Sequence, residues 1–271
     1  MGAVTAFDLC LPVAGDGGPL QAFRAPTSEL SNFVPKAKLR RVDHYSRMAL
    51  LGAGRAMEDT SPALIDKENT GVIIATGYGA LDSTFSFLDS YIDNGDTLAS
   101  PTHFSNSVHN AAAAHICVCY DITGPSLTVS QFDLSFFSAL ITASSWLETG
   151  KTTAVLVGMV DAWCEVMGYC MHGFSLLQDK APYSFREGAA FFLLTRDNGT
   201  GAKHGYFEDI SMGRHPAPPM LDTADILFPP TDTGLDAVFA LGQGKKQCCL
   251  KQGQENTYGR MMVVPAPKDC Q

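Results

Sequence analysis

The chain has 271 residues, 45% of them hydrophobic, and a formal net charge of −9. Such a supply of apolar side chains is enough for one large domain, or for one domain with a long appendage. The negative balance argues against a nucleic-acid surface or strong attachment to anionic lipid, and no apolar run reaches the roughly 18 residues of a membrane span.

The opening residues, Met1-Gly2-Ala3-Val4-Thr5-Ala6-Phe7-Asp8, lack a basic stretch and carry an early acid, so no secretion signal is read there. The eight cysteines are scattered, several in apolar stretches, as expected of free buried thiols in a cytoplasmic protein. An apolar run from Val4 to Val13 ends in the turn cluster Ala14-Gly15-Asp16-Gly17-Gly18-Pro19. Lys36, Lys38, Arg40 and Arg41 then form a basic stretch. From Ser46 to Asp59 apolar residues recur at helical spacing. Gly71-Val72-Ile73-Ile74-Ala75-Thr76-Gly77 is short, β-branched and bounded by glycine, which predicts a buried parallel strand.

A helix is predicted from Leu81 to Tyr91 and a loop from Ser100-Pro101-Thr102. Val108 to Tyr120 is alanine-rich and apolar nearly all round, hence a buried helix. Gly124-Pro125-Ser126 reads as a turn and Leu127 to Ser130 as a strand, followed by a helix from Leu134 to Glu148 that closes near Gly150. Thr153 to Met159 and Phe185 to Leu194 are further strands.

Strands alternating with helices predict an α/β fold, a mostly parallel mixed sheet with helices on both faces. Beyond Asn198, proline, glycine and polar residues dominate. The expected division is a domain over residues 1–198 and a reduced, partly irregular C-terminal extension over 199–271. Within that extension a helix is expected at Leu235 to Leu241 and a strand at Arg260 to Val264.

Three stretches, in order, carry a resemblance. They are Arg41-Val42-Asp43-His44-Tyr45-Ser46-Arg47-Met48-Ala49, then Asn110-Ala111-Ala112-Ala113-Ala114 leading to Gly124-Pro125-Ser126, and Phe185-Arg186-Glu187-Gly188-Ala189-Ala190. Together they resemble the N-terminal half of the β-ketoacyl synthases, in the thiolase-like superfamily. The resemblance is nearest to short chain-length-factor-type homologues without the active-site cysteine. It implies a thiolase-like half-fold.

In that family a T-A-C or T-G-C turn follows the G-P-S strand and presents a nucleophilic cysteine at a helix start. Here the run is Val129-Ser130-Gln131-Phe132-Asp133-Leu134, and the cysteine position is Asp133. The resemblance also implies two histidines from a C-terminal half, yet the residues after Asn198 hold neither an H-G-T-G-T-like nor a G-H-x-x-G-A-like stretch. Condensation needs a soft nucleophile to hold the acyl group and imidazoles to stabilise an enolate. A carboxylate is a poor acceptor, because the mixed anhydride it forms is more reactive than the thioester it replaces.

The expected function is therefore a non-catalytic, chain-length-factor-type subunit. It would pair with an active β-ketoacyl synthase in polyketide, aryl-polyene or fatty-acid biosynthesis and shape the acyl tunnel. Two alternatives stay open. One is a thioester hydrolase or malonyl decarboxylase that uses Asp133, and the other is a module that binds acyl carrier protein. Asp133 also has a plain structural reading, as an N-cap of the helix after it.

Phe104, Val108, Phe132 and Phe136 are the candidate substrate-binding residues. The first two belong to a segment that the resemblance places near the acyl pocket and subunit interface. The rings at Phe132 and Phe136 fill volume that a methylene chain would need, although core packing is an equal reading. Lys36, Lys38, Arg40 and Arg41 are either a solvated face or a surface for an acidic acyl carrier protein. His115, Cys117 and Cys119 lack the spacing of a zinc site, so no metal and no cofactor are expected. The expected partners are a full-length ketosynthase or a second copy, together with the carrier protein.

Overall fold

A computed structural model describes residues 4–5, 11–12, 22–170, 185–196, 204–214, 246–252 and 257–266. In chain order the strands and helices begin with β1 (Val4–Thr5), β2 (Leu11–Pro12), β3 (Ala22–Arg24), α1 (His44–Glu58) and β4 (Thr70–Thr76). Then come α2 (Leu81–Asn94), α3 (Pro101–Ser107), α4 (Ala111–Tyr120), β5 (Ser126–Ser130) and α5 (Ser135–Glu148). β6 (Ala154–Asp161), β7 (Phe185–Arg186), β8 (Gly188–Thr195), β9 (Gly205–Arg214), β10 (Gln247–Gln252) and β11 (Thr257–Pro265) complete the order.

The central sheet has five strands in the order β1-β8-β6-β4-β5. β4 runs parallel to both β5 and β6, whereas β8 is antiparallel to β6 and β1 to β8. Every residue of β4 and β6 is buried. Strands covered on both faces need apolar side chains on both, which explains their unbroken hydrophobic runs.

Alternate residues of these strands feed two cores. On one face Val72, Ile74, Leu156, Val160, Phe191 and Leu193 pack with α1 and α4. On the other, Ile73, Val155, Val157, Met159 and Phe192 pack with α5. Phe191 fits because Gly52 of α1 and Gly158 of β6 leave room. A Cβ would fall 2.5 Å from its ring at Gly52 and 2.3 Å at Gly158.

The helix boundaries follow local chemistry. Asp43 caps α1 by accepting the amide of Ser46 at 3.1 Å. Ser100 and Pro101, expected in a loop, instead start α3. Ser100 accepts the amide of His103 at 3.3 Å and Pro101 takes the first helical turn, where its missing N–H costs nothing. The stretch expected as one strand from Phe185 to Leu194 is split. β7 pairs parallel with β3 in a separate three-stranded sheet, and β8 joins the central one.

The described residues of the C-terminal extension contribute three strands. β10, β11 and β9 form an antiparallel sheet, and its Phe207, Ile210, Met212, Met261 and Val263 pack onto the α5 face of the core. β11 encloses the expected strand at Arg260 to Val264, but β9 and β10 mix polar residues and glycine and give no sharp strand signal. The contact with α5 is close. A Cβ at Gly259 of β11 would lie 2.5 Å from the ring of Phe137. The helix expected at Leu235 to Leu241 lies outside the described residues. Among the described residues no helix is long and apolar enough to cross a membrane.

Candidate functional site

β4, β5 and β6 are parallel, so their C-terminal ends open on one side of the sheet, where open α/β folds place their ligands. Asp133 lies there, in a 3₁₀ turn over Phe132–Leu134 that joins β5 to α5. It sits inside the turn, ahead of the helix's first residue, rather than at the N-cap position. It is half-buried. Phe132 has φ +44°, a left-handed conformation costing a non-glycine residue about 1–3 kcal/mol.

Ser135 stitches this corner together. Its Oγ accepts the amide of Gln131 at 2.8 Å, and it lies 2.8 Å from the carbonyls of both Thr76 and Phe132. One hydroxyl thus ties the turn to itself and to the end of β4. Ser135 is fully buried, which raises the worth of these bonds.

Beneath the corner lies Asp161, the last residue of β6 and 2% exposed. Its carboxylate accepts the Thr76 hydroxyl at 2.8 Å, the Gly77 amide at 3.0 and 3.1 Å and the Tyr78 amide at 2.9 Å. The Gly79 amide in turn donates to Thr76 Oγ1 at 2.7 Å. Burial pushes the Asp161 carboxyl up to about 6, against the opposing pull of these hydrogen bonds. Fully buried Tyr45 lies near it. Burial, and then the charge of Asp161, raise that phenol well above its ordinary range.

A second buried carboxylate, Glu187, accepts the amides of Ala25 at 2.7 Å and Trp163 at 3.0 Å and pairs with His44 Nε2 at 2.7 Å. It joins β3, the chain after β6 and the start of α1. Sequence reasoning singled out neither acid. The available signal was an acid at the end of an apolar strand, Asp161 after Val160 and Glu187 before Gly188.

The candidate substrate residues separate. Phe132 is 53% exposed and meets Tyr78 edge-on, with ring centroids 6.4 Å apart. Phe104 is 57% exposed and packs on Phe87 of α2 at 5.2 Å, while Val108, just beyond α3, is exposed. Phe136 differs. It is fully buried between Phe192 and Phe207, with centroids 5.7 and 6.3 Å away, because its helix position faces the sheet. Its volume goes to the core.

The histidines are dispersed as well. His109 is exposed and its ring packs against Gly79. His115 contacts Asn106 Oδ1 at 3.2 Å, and burial lowers its pKa. His204 bonds Asp59 at 2.6 Å, at the far end of α1 from Asp43, and His215 lies outside the described residues.

Among the described residues the edge of the sheet is open beside this corner: β5 is the outermost strand, and Ser126, Leu127 and Ser130 on it are exposed. A groove of about 350 Å³ runs along it, lined by His109, Asn110, Ala113, Ala114, Ser126, Leu127 and Thr128. The Thr128 hydroxyl is buried there and has no hydrogen-bond partner among the described residues.

Residues 16–195 match the family profile of the "Beta-ketoacyl synthase, N-terminal domain". The chain belongs to this family. Curated relatives include a 3-oxoacyl-[acyl-carrier-protein] synthase 2 from Synechocystis, 21% identical over 62% of the chain and 40% of the relative. Another is the chloroplastic 3-oxoacyl-[acyl-carrier-protein] synthase I of Arabidopsis thaliana, 20% identical over 54% of the chain and 31% of the relative. The ketosynthase-like chain thus spans less than half the length of these relatives.

Solved structures share the fold over more of their length. The ishigamide ketosynthase/chain length factor superposes with a TM-score of 0.72 at 14% identity, covering 93% of this chain and 91% of that one. The ketosynthase (ApeO) in complex with its chain length factor (ApeC) from Xenorhabdus doucetiae gives 0.57 at 15% identity, covering 96% and 98%. The fold is therefore that of the ketosynthases, with a carboxylate at the corner between β5 and α5.

Proposed function

We propose that this ketosynthase-like chain is a non-catalytic subunit of chain-length-factor type that pairs with an active β-ketoacyl synthase through β5. The observation that carries the reading is the corner itself. It has a strained backbone and the Ser135 clamp, and it presents Asp133 where the resemblance implies sulfur. A carboxylate there shapes a wall but does not hold an acyl group as a thioester.

The open edge supports pairing. An uncovered strand with exposed Leu127, a groove and an orphaned buried hydroxyl is costly to leave in water. A strand and side chains from a partner would satisfy all three. Phe132, Phe104 and Val108 then remain as exposed side chains that bound the partner's acyl chain and acyl-carrier-protein-delivered substrate, and Phe136 drops out of that role.

Co-expression with a full-length ketosynthase tests this. A stable heterodimer by size-exclusion chromatography with light scattering is expected, and Leu127→Asp on the exposed edge breaks it. Failure to pair with any ketosynthase, together with a monomeric chain at micromolar concentration, overturns the reading. The rival use of Asp133 as a nucleophile or base is checked separately. Turnover of acyl- and malonyl-thioesters that falls in Asp133→Asn would establish an enzyme instead.

A further inference from the structure

The two halves of α2 differ in how they meet the molecule. The first half is held down. Leu81 and Phe85 pack with Cys164 and Met167, the Ser83 hydroxyl donates to Asp43 at 2.9 Å, and Phe87 meets Phe104. Beyond Phe87 no residue of α2 is buried. Leu88, Tyr91 and Ile92 recur there at the three- and four-residue spacing that puts side chains on one face, and all three are exposed. Ile92 is 73% exposed, and Leu98, in the 3₁₀ turn over Asp96–Leu98 that follows the helix, is 70% exposed. Large apolar side chains gathered on one open face mark an interaction surface.

The charge beside this stripe has one sign. Asp89, Asp93 and Asp96 are exposed, and among the described residues none of them lies within ion-pair distance of a lysine or arginine. The sequence holds no lysine or arginine from Glu68 to Gly150, so α2 and the elements that follow it as far as α5 supply no such partner. Anionic lipid, nucleic acid or an acidic carrier protein would meet like charge here. A second copy joining α2 to α2 would set these aspartates against their own counterparts. Only a cationic face is complementary.

We infer that the second half of α2 is a docking surface for a different protein, one that presents an apolar strip flanked by lysines or arginines, as a cationic amphipathic helix does. Leu88, Tyr91 and Ile92 supply the apolar contact, and Asp89 and Asp93 receive the flanking cations. The inference goes beyond the pairing through β5 and does not depend on it.

The test is fluorescence anisotropy of a labelled amphipathic peptide of leucine and lysine, titrated with the full chain at pH 8 and low ionic strength. The same peptide with glutamate in place of each lysine is the control. Saturable binding of the lysine peptide alone is expected. Ile92→Ser/Leu98→Ser and Asp89→Asn/Asp93→Asn, all at exposed positions, are each expected to weaken it about tenfold or more. Glu68→Gln/Glu148→Gln removes the same charge from exposed positions elsewhere and is expected to keep the affinity. No saturable binding overturns the inference. So does equal weakening in the two acid variants, which would mark attraction to net charge alone. A wild-type assembly that Ile92→Ser/Leu98→Ser dissolves in light scattering overturns it as well, because a second copy would then cover the face.

Discussion

The carboxylate of Asp161 accepts the hydroxyl of Thr76 at 2.8 Å, and the carbonyl of Thr76 lies 2.8 Å from the hydroxyl of Ser135. A polar chain therefore runs from the end of β6, across β4, to the turn that carries Asp133. It is buried along its length, so its protonation state matters to the whole molecule.

The first prediction concerns pH. Burial raises the folded-state carboxyl of Asp161 to about 6 from 3.8, so the unfolded chain releases this proton first. Between about pH 4 and pH 6 the folded state binds more protons, and stability from this group falls as pH rises. The loss is on the order of 2–3 kcal/mol, complete above the folded-state value. Melting temperatures from pH 4 to 7.5 check this. Asp161→Asn flattens the slope relative to wild type. Parallel wild-type and variant curves would disprove the assignment.

Ser135→Ala removes the clamp at the corner. The Gln131 amide loses its acceptor, at a cost of about 1–3 kcal/mol. Amide exchange at Gln131 then rises more than exchange in the middle of α5. Unchanged protection at Gln131 would show that another group holds the turn.

Glu187→Ala strands the Ala25 and Trp163 amides in a buried site and is expected to cost about 3–5 kcal/mol. His44→Ala removes a side chain that is itself 34% exposed and leaves Glu187 the Ala25 and Trp163 amides, so it costs less. Urea unfolding of the two variants distinguishes them, and similar midpoints would contradict the accounting.

Gly259→Val forces a side chain toward the Phe137 ring, against a 2.5 Å approach at Cβ. Overpacking of this kind costs about 1–3 kcal/mol. The variant is expected to lift the small sheet from α5 and to bind a hydrophobic dye. A melting temperature equal to wild type would mean that the sheet does not dock on α5.

Much of the scaffold was legible from residues alone. The runs Val72 to Ala75 and Ala154 to Met159 carry no polar side chain because β4 and β6 are covered on both faces. The helix periodicity from Ser46 to Asp59 and from Leu134 to Glu148 matches α1 and α5 within two residues. The candidate site was legible at its centre, since the strand-to-helix corner and its aspartate are adjacent in the chain.

What surrounds Asp133 was decided only by tertiary structure. Asp161, Glu187 and Ser135 acquire their roles from partners as far as 162 positions away, such as Ala25 for Glu187, and local patterns carry no record of those contacts. The same holds for Phe132 and Phe136. Four positions apart and chemically identical, one is exposed at the corner and the other is fully buried against Phe192 and Phe207. Composition and periodicity determined the layers, because burial repeats along a strand or helix. Which carboxylate is buried, and which ring faces solvent, depends on distant elements meeting, and that was settled when the sheet, α5 and the C-terminal strands packed together.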